Sequence, residues 1–123
     1  MASPPELIAE LCRQFYHLGW CTGTGGGIAI REGDVVYMAP SGVQKERIQP
    51  EDVFQLTPDG KVLTAPQNPD LKLTECAPLF FNAFRQRGAG AVLHSHSIEA
   101  LMATVHARDV FRVSHVEMIK GLR

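Results

Sequence analysis

A chain of 123 residues with 45% hydrophobic and 20% charged side chains is expected to form one ordinary globular domain with a real core. A net charge of −1 with no basic stripe removes the electrostatic case for nucleic acid, and no apolar run is long enough to cross a bilayer. The three cysteines, Cys12, Cys21 and Cys76, are widely spaced with no C-x-x-C pair; with no basic-then-apolar leader, this argues against a disulfide scaffold and for a reducing, cytosolic setting.

Ser3-Pro4-Pro5-Glu6 has the spacing of a capping box, with proline at the first helical position. Leu7, Ile8, Leu11, Phe15 and Leu18 then share one helical face, which reads as core, and Gly19 is placed to end the helix. The run from Thr22 to Gly27 (TGTGGG) leads into an apolar strand, Ile28 to Ile30. Its four glycines allow close backbone approach, and Thr24 and Gly25 lie where N–H groups can converge on an anion. A simple turn into the strand fits equally well. A dinucleotide fingerprint does not fit, because Ile28 stands where its last glycine belongs, and no Lys-Ser/Thr pair makes a P-loop.

Arg31 to Asp34 is the turn of a hairpin whose second strand is Val35 to Ala39. Pro40 to Lys45 is a second small-residue loop, in which Ser41 and Gly42 precede an ammonium group at Lys45. Two such loops at neighbouring strand ends make an anion pocket more credible than either alone. Pro50-Glu51-Asp52 reads as one helical turn, followed by strand Val53 to Leu56, a turn at Pro58-Asp59-Gly60, and strand Lys61 to Thr64. After an irregular stretch from Ala65 to Leu73, a helix is predicted from Thr74-Glu75 to Arg87, with Leu79, Phe80, Ala83 and Phe84 inward. Cys76 falls in its first turn, where the helix dipole favours a thiolate, although a small core residue is the commoner role.

Gly88 to Ser97 (GAGAVLHSHS) reads as a short buried strand running into His94-Ser95-His96. Residues two apart on a strand share a face, so His94 and His96 project side by side as half of a metal site, or as a hydrogen-bonded pair. A helix from Ser97 to Val105 follows, with Leu101 and Val105 inward, and then a short strand from Phe111 to Ser114. Glu117 lies in an apolar segment, the setting that suits a proton-transferring carboxylate. Two imidazoles, two anion-friendly loops, a thiol and an acid suit metal-assisted chemistry on a small phosphorylated molecule.

The segments LCRQFYHLGWCTGTGGGIAI, YMAPSGVQKERIQPEDVF, APLFFNAFRQRGAGAVLHSHS and HVEMIKG carry a resemblance that spans nearly the whole chain from Glu10 onward. The sequence resembles the class II aldolase/adducin family and, within it, the branch that dehydrates 5-methylthioribulose 1-phosphate to a diketone phosphate in methionine salvage. The resemblance implies a three-layer α/β/α fold with a mixed, largely antiparallel sheet, residues 1–123 forming the N-terminal part of one domain and the fold being incomplete at its C-terminus. It implies one zinc ion per subunit held by three histidines, two of them His94 and His96 and the third beyond Arg123. That leaves weak zinc binding and no dehydration as the expectation for this chain alone. It makes Cys76 a substrate contact, with Thr24, Gly25, Ser41 and Gly42, and Glu117 the acid/base. A homo-tetramer and a cell-death factor as partner are also implied by resemblance alone; the second raises an interaction protein without catalysis as an alternative. A cupin-like metal protein fits the Gly88-to-His94 interval, but Glu99 follows His96 too closely and a helix takes the place of the next strand.

Overall fold

The computed structural model describes residues 1–116. In chain order, α1 spans Pro4–His17, β1 Gly27–Glu32, β2 Val35–Met38, β3 Phe54–Leu56, β4 Val62–Thr64, α2 Ala77–Arg87, β5 Ala91–His94 and α3 Ile98–His106. Single 3-10 turns at Lys45–Arg47 and Pro50–Asp52 lie between β2 and β3. The strands form one sheet in the order β4-β3-β2-β1-β5, and every pairing among them is antiparallel.

Alternation along the strands splits the core into two layers. Ile28 of β1 packs under α1 with Ile8, Cys12 and Phe15, whereas its neighbour Ala29 faces α2 with Val36, Met38, Leu56, Phe80 and Phe84. Register preserves this division, since Ala29 pairs with Met38, and Met38 with Phe54. The outcome is the expected helix–sheet–helix arrangement, with α1 and α2 covering opposite faces.

Several expectations need correction. Ile8 and Phe15 are buried, but Leu7 and Leu18 are exposed, and Ala9 and Cys12 complete the buried face of α1. The helix presents the stripe of Ile8, Ala9, Cys12 and Phe15 to the sheet, with Leu11 partly buried at its margin; Leu7 falls outside the stripe and Leu18 is the C-cap, past the last helical turn. Helix α2 begins at Ala77, because Glu75 and Cys76 form a turn before it, and Leu79 faces solvent at 69% exposure. Strand β5 is not buried; it is an edge strand with Leu93 half-exposed. Helix α3 buries no residue, and both Leu101 and Val105 are exposed. No strand forms at Phe111 to Ser114, which is irregular.

Candidate functional site

The pairing of β5 with β1 sets His94 opposite Gly27, at the mouth of the glycine-rich loop. His96 lies two residues beyond the strand, where its backbone N–H donates to the Trp20 carbonyl at 2.7 Å. That bond holds the chain extended past the strand end and keeps both rings on one side. Their centroids are 4.7 Å apart, and the two Nε2 atoms approach to 3.2 Å. Burial, then the neighbouring His96 and Lys45, hold the His94 imidazole below the ordinary histidine range. The neutral ring thereby favoured is the form that ligates a metal.

Glycine is required beneath this pair. A Cβ on Gly25 would stand 2.5 Å from Cε1 and Nδ1 of His96. A Cβ on Gly26, which sits at φ +76°, would meet Cys21 Sγ at 2.5 Å and the His94 carbonyl at 3.0 Å. The glycine-rich loop is therefore a seat for the histidine segment as well as a turn.

A cavity of about 180 Å³ opens above the pair. The structure brings Thr24, Gly25, Ser41, Cys76, His94 and His96 together on its wall. Gly42 is not on the wall; it turns the chain just behind Ser41 at φ +77°. Glu117 lies outside the described residues. The anion cradle is narrower than the sequence suggested. The Gly25 N–H is spent on the Thr22 carbonyl at 3.0 Å, and the Ser41 N–H on Lys72 at 2.7 Å. Thr24 and Ser41 thus line the cavity without a full ring of free amides.

Four further residues line the wall: Gly26, Lys45, Thr74 and Glu75. Thr74 Oγ1 accepts from the Cys76 N–H at 3.2 Å and so fixes the turn that presents the thiol. Lys45 was visible in the sequence as an ammonium in the second loop, but its burial was not. His115, a further histidine that could be weighed as a metal ligand, does not line the cavity; its Nδ1 lies 3.1 Å from the Ser114 hydroxyl on an exposed stretch.

The two imidazoles fit a metal. Nitrogens bound to one tetrahedral zinc at the usual bond length lie about 3.3 Å apart, close to the separation of the Nε2 atoms here. Among the described residues no group of three or more His, Cys, Asp or Glu side chains forms around them.

Residues 6–122 match the family described as the Class II Aldolase and Adducin N-terminal domain. The chain belongs to this family. It is similar to methylthioribulose-1-phosphate dehydratase of Homo sapiens, 56% identical over 123 residues that cover 98% of this chain and 50% of that protein. The Xenopus tropicalis protein of the same name is 55% identical over 124 residues, covering 99% and 52%. The chain thus spans about half the length of the curated relatives it matches. Among solved structures, L-fuculose-1-phosphate aldolase from Thermus thermophilus superposes with a TM-score of 0.71 at 21% identity, over 87% of this chain and 53% of that one. An aldolase II superfamily protein from Pseudomonas syringae gives 0.69 at 17% identity, over 83% and 44%. These two likenesses establish the class II aldolase fold.

Proposed function

We propose that this chain is the metal- and phosphate-binding part of a dehydratase acting on 5-methylthioribulose 1-phosphate, a reaction of methionine salvage. The observation that carries the reading is the 3.2 Å approach of His94 and His96 on the wall of a cavity shared with two hydroxyl-bearing loops. It occurs in a chain 56% identical to a relative of that name.

Loss of water from this substrate takes a proton from the carbon beside the ketone and expels hydroxide from the next carbon. The enol left behind ketonises to the diketone. His94 and His96 would hold a divalent ion, zinc on the chemistry of two imidazole donors. Such an ion supplies Lewis-acid polarisation of a carbonyl oxygen. The hydroxyls of Thr24 and Ser41 would receive the phosphate end, and Cys76, on the same cavity wall, would contact the sugar. Proton transfer is assigned to Glu117 by resemblance.

A graft tests this reading. The 123 residues replace the matching half of the human relative, and zinc content and turnover of 5-methylthioribulose 1-phosphate are measured. The expected chimera retains zinc and dehydrates the substrate, whereas its His94→Ala form loses both. A folded chimera with neither zinc nor turnover would reject the proposal.

A further inference from the structure

Lys45 is the most deeply buried charged side chain described, at 2% exposure. Its Nζ donates to the Thr24 carbonyl at 2.7 Å and to the Val43 carbonyl at 3.2 Å. One bond reaches the glycine-rich loop and the other the serine loop, so a single ammonium ties together the two segments that wall the cavity. Its stem runs beneath β1, with Cε 3.8 Å from the place a Cβ would take on Gly27. Among the described residues no carboxylate pairs with it, the ion pairs being Arg47 with Glu46 and Lys61 with Asp59.

A buried ammonium with no carboxylate in direct contact is unfavourable, and two carbonyl dipoles with the more distant Glu46 offset only part of its lost hydration. Neutral donors could bridge the same two carbonyls without that penalty. The placement makes sense if an anion enters the cavity that Lys45 helps to line. Burial also pulls the Lys45 pKa down, while the nearby Cys12, Cys21 and Glu46 oppose that shift.

We infer that Lys45 is a positioning residue for the anionic end of the ligand: it locks the two loops to each other through Thr24 and Val43 and places a positive charge beneath the cavity for a phosphate group. The inference rests on the phosphate-binding role proposed above and extends it to a residue that resemblance did not mark.

Inorganic phosphate serves as the probe, titrated into the 123-residue protein. Binding is followed by the Thr24 and Gly26 amide resonances and by the ¹⁵N resonance of the Lys45 ammonium. Phosphate should move all three in the unaltered protein. Lys45→Met, which removes donor and charge, and Lys45→Gln, which keeps a neutral donor, should each weaken phosphate binding at least tenfold. A folded variant of either kind that binds phosphate like the parent would overturn the role of Lys45 and leave the dehydratase reading standing. So would phosphate-induced shifts at Thr24 and Gly26 with none at the Lys45 ammonium, an outcome independent of whether the variants fold. Absence of any phosphate binding to the unaltered protein would overturn this inference together with the phosphate-binding role, while zinc retention in the graft would still test the histidine pair.

Discussion

A methyl group at residue 25 has nowhere to go except into the His96 ring. Gly25→Ala should therefore swing that imidazole away from His94 and weaken zinc binding by roughly 10–100-fold, the usual effect of disturbing the support of a metal ligand. Competition with a chromogenic chelator measures it, and unchanged affinity would show that the ring can relocate freely. Glu117→Gln, made in the graft described above, keeps shape but cannot shuttle a proton, so turnover should fall by about 10²–10⁴-fold. Near-parental turnover there would shift the role to Glu75, the carboxylate on the cavity wall. The buried thiols make a third case. Burial pushes Cys12 from 9.0 up to about 12, with Cys21 adding to the rise and Lys45 and Arg13 opposing it. The unfolded thiol ionises near 9 while the folded one keeps its proton, so this contribution to stability is full below pH 9 and is lost as pH rises toward 12. The loss is about 1.4 kcal/mol per pH unit inside that window. Urea midpoints of the parent should thus fall more steeply above about pH 9 than those of Cys12→Ala; parallel curves would contradict it.

At the scale of elements, α2 and α3 behave oppositely. Helix α2 drives Phe80 and Phe84 into the layer formed by Val36, Met38 and Leu56. Phe80→Ala should destabilise the fold by about 3–5 kcal/mol, as deletion of a buried aromatic ring does. Leu79→Ala, one residue away but 69% exposed, should stay within about 0.5 kcal/mol of the parent in the same denaturant titration. Equal effects would mean that the helix is rotated about its axis. Helix α3 has a serine cap, with Ser97 Oγ accepting from the Ala100 N–H at 3.1 Å, yet it covers nothing. Local signals alone start it, since capping and apolar content need no partner surface.

Taken whole, the described residues expose many apolar side chains on and after the edge strand β5. Leu93 on the edge strand, Ile98, Leu101 and Val105 on α3, and Phe111 beyond it are all more than half exposed. Exposed apolar side chains in such number, beside an edge strand, promote association. The purified chain should self-associate with rising concentration in sedimentation velocity. The double change Leu101→Glu and Val105→Glu should reduce that association without lowering the unfolding midpoint. A monomeric parent at high concentration would contradict this expectation.

What the sequence determined by itself was set by short-range chemistry. The order of helices and strands up to α3, the hairpin from β1 to β2, the glycine loop and the pairing of His94 with His96 all follow from periods of two and about four residues and from turn chemistry, whereas the strand expected at Phe111 to Ser114 does not form. The family was legible in the same way, through contiguous runs such as Ala39 to Asp52. Burial was decided only by tertiary structure. Strand β5 has the apolar content of a central strand, but chain topology leaves it at the edge. Leu101 and Leu79 have the spacing of core residues, but among the described residues no layer lies against them. Lys45 looked like an ordinary loop ammonium until the approach of two loops, 21 residues apart at Thr24 and Lys45, enclosed it. Periodicity reports which side chains could be inside; which of them are depends on what distant segment arrives to cover them.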